Sequence, residues 1–383
     1  MGRDMIKVGL ADVSIGRPLA WALYDRSGRL VLEKGMLVQT EGQLASWIDR
    51  GVFRKVVAHT REMTAPQPAN HAPKPEPYRP FSHLDDIQGR LEKAFTLLHG
   101  LPGKAVGVIE KLAAEIQTLC RKTPDAAIGF IHLAEDFNYT IRHPVKKAVI
   151  VDMLARRLRM PPEQRLMLLK ATLTCDISVI ELQERLHKQD APLTPEQQAI
   201  MHNHPQASVQ RLQQAGVSDR EWLDAVLQHH EFCDGSGYPM GLTADGIGTA
   251  AKLICLADAY CAMVSSKAYR EKVDSRDALK DFFLTKGKQR DETMCLTLIK
   301  ELTAFPPGTV VEIANGEIAV VTHRTENPAG PLVSAIINTS GDMYLKPYQR
   351  DTAMEEFAIR KLAALPAHTR PSLPHIWDAR LPA

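Results

Sequence analysis

A chain of 383 residues with 44% hydrophobic and 24% charged side chains has a globular composition but is too long for one compact core, which implies two or three domains. Its 47 Lys and Arg against 45 Asp and Glu leave a net charge of +2, which excludes a basic surface large enough to drive nucleic-acid binding by itself. No apolar run reaches the length of about 18 residues that a membrane span needs, and six cysteines without a CxxC pair argue against a zinc knuckle or a disulfide framework.

The amino-terminal stretch MGRDMIKVGLADVS lacks the apolar run of a signal peptide, and Ile6 does not fit a myristoylation site, so a cytoplasmic protein is expected. Residues 1–63 hold short strand-like runs, PLAWALYD and RLVLEKG, across the turn Asp25–Gly28, then a helical stretch near 41–50 and the strand-like FRKVVAH. They read as a small α/β or β-rich module without a chemical motif. Six prolines between Thr64 and Pro80 predict a stiff, extended linker over 64–80.

Residues 81–304 change character. Apolar side chains recur at helical spacing in HLDDIQGRLEKAFTLLHG, KAVGVIEKLAAEIQTLC, VKKAVIVDMLARRLRM and EQRLMLLKATLTC. Thr194-Pro-Glu and Ser218-Asp-Arg-Glu are helix starts. From Phe305 the period becomes two. TVVEIANGEIAVVTH is a hairpin around Asn315-Gly316, LVSAIINTSGDMYL suggests another around Ser340-Gly341, and a β-meander is predicted for 305–350. Within 351–383, AMEEFAIRKLAA is predicted to be a helix, and the Pro-rich end to be poorly ordered unless it docks. The chain is therefore multidomain and mainly α, with a helical bundle between two small modules.

The residues that carry chemistry lie in the helical part. His143 follows Tyr139-Thr140 at a helix start, Asp176 ends the apolar run LLKATLTCDISVI, His204 sits in IMHNHP, and Asp258 lies inside AAKLICLADAYCAMV. His229 and His230 open the stretch HHEFCDGSGYP, which reads as a helix end followed by loop chemistry. A carboxylate flanked by apolar residues on every face must be nearly buried, and a buried charge needs a cation or strong donors. Two such carboxylates with several imidazoles on other helices are what a divalent metal in a bundle requires, and mixed His and carboxylate ligands suit Fe, Mn or Zn rather than Ca or Mg. Taken singly, each residue has a bland role. A lone His on a helix is more often a core or surface residue, Asp258 could cap a helix or pair with Lys252, and His187 and His202 read as surface residues. Only the set favours a metal.

HHEFCDGSGYPMGL resembles the signature of the HD-GYP family of metal-dependent phosphohydrolases. YTIRHP, IMHNHP, GIGTAAKLICLADAYCAM and SSKAYREK resemble further family segments in the family's order, over residues 137–300. The resemblance implies a helical bundle with a centre of Fe or Mn and hydrolysis of cyclic di-GMP to pGpG and GMP. It puts metal ligands at His143, Asp176, His204, His229, His230 and Asp258, with Asp176 bridging and with Asp176, His204 and His229 as the catalytic set. It puts phosphate contacts at Lys267 and Arg270, and it makes Gly237, Tyr238 and Pro239 part of a loop that lines the cleft and docks GGDEF-type partners. A homodimer is the expected assembly.

The match departs at one motif. Where the family has HDxGK, this sequence has Cys175-Asp176-Ile177-Ser178-Val179, so the His is a Cys and the Lys a Val. Tyr139 stands where three-metal members have Glu, and Cys261 where the family has a second Asp. Cys175 could bind metal as a thiolate or be an inert core thiol. Val179 offers no charge to a phosphate. Two readings follow: a phosphodiesterase with one or two ions, or a degenerate domain that binds cyclic di-GMP or a metal as a sensor or scaffold. A pure protein-interaction module would need no metal, and a carboxylate at Asp258 argues against it.

Overall fold

The computed structural model describes residues 78–98, 100–133, 138–189, 191–265 and 289–365, with Lys280, Ile376, Trp377 and short pieces of residues 5–55. Met1–Lys74 and Pro75–Ala383 are separate units. In the first unit, β1 (Met5–Lys7), β2 (Leu23–Tyr24), β3 (Leu30–Leu32) and β4 (Phe53–Lys55) form an antiparallel sheet in the order β1-β4-β2-β3. Val8, Val13, Leu19, Leu23, Leu32 and Val52 make its own small core. Apart from Trp47, the expected helix near 41–50 lies outside the described residues.

The second unit contains ten α-helices among the described residues. α1 (Pro80–Leu97) and α2 (Pro102–Lys122) each start at a proline, whose missing N–H is no loss at a first helical position. α2 buries Ile109, Leu112, Ala113, Ile116 and Leu119 on one stripe, as its sequence spacing requires. α3 (Pro124–Leu133) leads to α4 (Tyr139–Arg157), and α5 (Pro162–Thr174) to α6 (Ile180–His187). α7 (Pro195–Gln214) begins with a reciprocal capping box, in which the Thr194 hydroxyl accepts from Gln197 N and the Gln197 carbonyl oxygen accepts from Thr194 N. α8 (Arg220–Gln228) is capped by Asp219, one residue later than the Ser218 start read from the sequence, and the Asp219 carboxylate accepts from Trp222 N at 3.2 Å. α9 (Thr249–Met263) and α10 (Glu292–Leu302) complete the bundle. α4 and α9 are the central pair, buried on nearly every face, and they pack on one another. Among the described residues, no helix is long and apolar enough to cross a membrane.

The carboxy-terminal sheet has β5 (Val310–Ile313), β6 (Ile318–His323), β7 (Leu332–Ile337), β8 (Met343–Asp351) and β9 (Ile359–Leu362) in the order β8-β7-β6-β5-β9, all antiparallel. The first four form the expected meander. Its turns place Gly316 at φ +88 and Gly341 at φ +85, a region that glycine enters without strain. The sheet is buried on both faces: Val320, Ile336 and Ile337 join the core of the helices, while Val311, Ile313, Ala319, Val321 and Val333 form a second core.

The helix predicted for AMEEFAIRKLAA is absent. Residues Glu355–Phe357 make a single 3-10 turn and Ile359–Leu362 is strand β9, paired with β5. β5 would otherwise be an open edge, and Phe357, Ile359 and Leu362 pack on the second core, so strand pairing overrides the helical spacing. Part of the Pro-rich tail docks. The Trp377 ring stacks on Phe81 at 5.1 Å, and its Nε1–H donates to Thr322 O at 3.1 Å.

Candidate metal centre

Asp176 lies in the turn between α5 and α6, and α7 clamps that turn. Ser178 Oγ donates to His204 O, Ser208 Oγ donates to Ser178 Oγ, and Arg211 Nη1 donates to Ile177 O, each at 2.9 Å. Trp222, fully buried on α8, donates its indole N–H to Thr174 Oγ1 at 2.9 Å and so pins α8 to the end of α5. Asp176 is thereby held against the histidines of α7 and α8.

The orientation of those histidines follows from the helices that carry them. Pro205 has no N–H, so the carbonyl of Met201, four residues earlier, lacks its ladder partner. His204 Nδ1 takes that carbonyl at 2.5 Å. His229 is the C-cap of α8, where carbonyls are also free, and its Nδ1 lies 2.6 Å from Val226 O. A carbonyl only accepts, so both Nδ1 atoms carry a proton, and in the neutral form of each ring the Nε2 atom carries the lone pair. These two Nε2 atoms face each other at 3.1 Å. Asp176 Oδ1 is 3.4 Å from one and 3.7 Å from the other. With His230, the four ligand atoms all lie within 4.8 Å of one another.

Two buried lone pairs pointed at each other beside a carboxylate oxygen repel unless a cation lies between them. The donor set therefore fits a divalent metal, and the two carbonyls are the outer partners that fix the imidazole tautomers. Burial is the main cause that lowers the pKa of His229, and His230 is pushed well below the usual histidine range by burial and then by His229. Both rings are thus held neutral, as metal ligands must be.

Asp176 Oδ2 faces the other way. Lys147, fully buried on α4, donates Nζ–H to it at 2.5 Å. The same Nζ is 3.1 Å from Cys175 Sγ and 3.3 Å from Asp258 Oδ1. His143 Nε2 lies 2.9 Å from Asp258 Oδ1, and its buried Nδ1 has no hydrogen-bond partner. His143 and Asp258 therefore meet around the ammonium and stand outside the four-residue cluster. Burial alone would lower the pKa of Lys147, but Asp176, Cys175 and Asp258 together raise it well above the usual lysine range. Asp176 and Asp258 show the converse: burial would raise them, and Lys147 leads the groups that hold both well below the usual carboxylate range. Burial pushes the Cys175 thiol up, and its Sγ lies 3.4 Å from Thr172 O, so it is a protonated core thiol. Asp258 does not pair with Lys252, whose Nζ is 4.0 Å from Asp291 instead. Val179 is buried at 2% exposure, and its side chain offers no charge or hydrogen-bonding group.

The DGSGYP loop closes one side of the site. Glu231, the acid after the histidine pair, is 2% exposed and accepts from Met240 N at 2.6 Å and Leu242 N at 2.8 Å. Asp234 accepts from Ser236 N and Oγ. A Cβ on Gly237 would lie 2.3 Å from Phe232 N and 2.5 Å from Glu231 Cα, so only glycine fits. Tyr238 stacks between His230 at 4.8 Å and His202 at 4.7 Å, and the Tyr238–Pro239 peptide is cis. His202, expected as a surface residue, is exposed but serves as this outer stacking partner.

A cleft of about 490 Å³ opens beside Asp176, His230 and Asp258, a volume suited to a small-molecule ligand. Tyr139 forms its wall, stacked between His143 at 4.6 Å and His187 at 5.0 Å. His187, also expected at the surface, is half-buried and lines the cleft because α6 turns its last residue inward. Lys267 and Arg270 lie outside the described residues. Sequence reasoning missed Lys147, Glu231 and the Tyr139–His187 stack. The available signal for Lys147 was its position one turn after His143, on the same helix face.

The HD domain family matches residues 130–294. A cyclic di-GMP phosphodiesterase of Pseudomonas aeruginosa is 26% identical over 213 residues, which is 56% of this chain and 51% of that protein. The cyclic di-GMP phosphodiesterase PdeB of Borreliella burgdorferi is 26% identical over 201 residues, 52% of this chain and 53% of that protein. The chain spans about half the length of these curated relatives. Among solved structures, Bd1817, an HDG"Y"P protein from Bdellovibrio bacteriovorus, shares the fold, with a TM-score of 0.51, 16% identity, 78% of this chain and 99% of that chain covered. With the matched family, these relatives and the GYP loop closing on paired histidines, residues 130–294 of this chain are an HD domain, similar to those of HD-GYP proteins.

Proposed function

We propose that the helical unit hydrolyses cyclic di-GMP to pGpG and GMP, using a divalent ion held by Asp176, His204, His229 and His230. The observation that carries this reading is the pair of Nε2 lone pairs 3.1 Å apart, with Asp176 beside them, next to an open cleft. Nitrogen-rich ligation with one carboxylate suits Fe, Mn or Zn rather than Ca or Mg, and the family resemblance favours Fe or Mn. A divalent ion there supplies a Lewis acid for a phosphodiester.

The protein's own groups do the rest. The Met201 and Val226 carbonyls fix the Nδ1–H tautomer of His204 and His229 and aim their Nε2 atoms. His187, backed by Tyr139, gives the cleft an aromatic wall. Glu231 fixes the backbone of the loop that carries Gly237, Tyr238 and Pro239 over the site. Lys267 and Arg270 are assigned to the phosphates, with Arg able to grip in a bidentate manner. The same loop, where Met240 is 47% exposed, is the assigned docking edge for a GGDEF-type partner. A cytoplasmic location and a homodimer belong to this reading.

A second reading has its own support. Val179 removes a cation that would meet substrate, which favours a domain that binds cyclic di-GMP without cleaving it. One experiment separates the two. Protein purified without oxygen and loaded with Fe(II) or Mn(II) is incubated with cyclic di-GMP, and the nucleotides are resolved by chromatography. Product from the wild type, reduced by about 10²-fold or more in Asp176→Ala, is the expected result. Nucleotide bound by metal-loaded protein with no product overturns the hydrolase and leaves the receptor.

A further inference from the structure

Lys147 has no part in the reading above, yet it is a buried cation between two carboxylates. Its Nζ is fully buried and meets three acceptors: Asp176 Oδ2 at 2.5 Å, Cys175 Sγ at 3.1 Å and Asp258 Oδ1 at 3.3 Å. An ammonium has three N–H donors, so this set satisfies it. The Asp176 carboxylate is divided, with Oδ1 toward the Nε2 atoms of His204 and His229 and Oδ2 toward the Lys147 ammonium. A bridging carboxylate in a paired-metal centre divides its oxygens in the same way, one to each ion.

We propose that the Lys147 ammonium is a built-in substitute for a second metal ion, so that this chain holds one ion, at Asp176, His204, His229 and His230. His143, Asp258 and Cys175 then form a cradle for the lysine. The inference rests on the metal reading above, but not on turnover.

Three observations support it besides the distances. First, the ammonium cannot step aside: a fully buried cation moved off its two carboxylates leaves both uncompensated in a region of low polarity. Second, His143 directs Nε2 at Asp258 Oδ1, an oxygen that already receives Lys147, and its other nitrogen is orphaned, so the ring is committed to the cradle. Third, Cys175 is smaller than the histidine that the family resemblance expects there. It leaves room for a lysine side chain entering from α4, where a ring would not. The lysine also differs from the one missing at Val179. Being wholly buried, it neutralises carboxylates and cannot hold a substrate phosphate.

The test is metal stoichiometry on the full chain, read by elemental analysis after anaerobic loading with excess Fe(II) or Mn(II). Thermal melts check that each variant is folded. The wild type is expected to hold one ion per chain. Asp258→Asn and His143→Ala are expected to keep that ion, and His229→Ala to lose it. After mild oxidation of the iron form, the electron paramagnetic resonance spectrum is expected to show an isolated ferric ion rather than a coupled pair. In Lys147→Ala, the vacated cradle is expected to admit a second ion, taking the count to two.

Two ions in the wild type, loss of the ion in folded Asp258→Asn or His143→Ala, or a folded Lys147→Ala that stays at one ion overturns the substitution by lysine. No ion at all in the wild type overturns the metal reading itself, which makes the two failures distinct. If Lys147→Ala does not fold, the other variants and the resonance spectrum decide the matter.

Discussion

Two of the site's histidines owe their direction to what the backbone lacks. His204 takes the carbonyl that Pro205 leaves free, and His229 takes one of the free carbonyls at a helix end. Gly237 is a similar case, a position defined by the absence of a side chain. Its α-carbon passes so close to Phe232 N and Glu231 Cα that a methyl group has no room. Gly237→Ala should therefore push the loop off the Glu231 anchor, where Met240 N and Leu242 N are held. The expected cost is about 1–3 kcal/mol in urea unfolding, the range for overpacking. An unchanged unfolding midpoint would mean that the loop relaxes freely. Asp176, His204, His229 and His230 were expected to group because only as a set do imidazoles and a carboxylate in apolar helices favour a metal, and their ligand atoms lie within 4.8 Å of one another. Lys147 was not expected there. In a helix such as VKKAVIVDMLARR, a lysine is expected to bend its chain out to water, and nothing local shows that three acceptors on other elements wait for it.

Helices here serve as carriers of angle as much as of packing. α7 presents His204 only because its hydrogen-bond ladder is interrupted one residue later, at Pro205. Pro205→Ala would restore an N–H whose natural acceptor is the Met201 carbonyl, and that oxygen would be shared with His204 Nδ1. Helix stability should be equal or higher, since an interior proline is removed. Metal affinity should fall by about 10-fold, the lower end of what loss of an outer hydrogen bond to a ligating histidine costs. A chelator titration read beside a thermal melt checks both signs. Unchanged affinity would show that the carbonyl does not hold the ring. The strand β9 shows the opposite limit of sequence reading. AMEEFAIRKLAA has helical spacing, but β5 needs a partner on its open edge, a demand set by residues some fifty positions earlier. The hairpins at Gly316 and Gly341 were legible because their turns are local. The pairing of β9 was not, because it is a long-range choice.

Beyond Lys74, the chain is built from two apolar cores that share one sheet, with Val320 on one face and Val311 and Val321 on the other. Periodicity made the helical and β halves legible, but not the burial of the sheet on both sides. That arrangement places carboxylates in poorly solvated surroundings and makes their charge state a property of the fold. Glu317, just before β6, accepts from Tyr344 Oη at 2.5 Å and from Arg350 Nε and Nη2 at 3.0 Å each. Its hydrogen bond from Arg350 is the main cause that lowers it from 4.5 to about 2. The sign follows from linkage. A carboxyl group whose pKa is lower folded than unfolded adds stability that is complete above the unfolded value and lost as the pH falls through the folded one. The contribution of Glu317 should therefore be full above pH 4.5 and disappear as pH approaches 2. Glu317→Gln removes the titration but keeps the shape. At neutral pH it should lower unfolding stability by about 2 kcal/mol, as expected for losing hydrogen bonds to a charged group. Toward pH 2 the two stability curves should approach one another, because the folded wild-type carboxyl is by then about half protonated and most of its charge-dependent contribution is lost. Urea midpoints measured across that range for both proteins give the difference directly, with every other acid cancelled. A gap that stays constant with pH would show that Glu317 acts through packing alone, and that the Arg350 pair adds no charge-dependent stability.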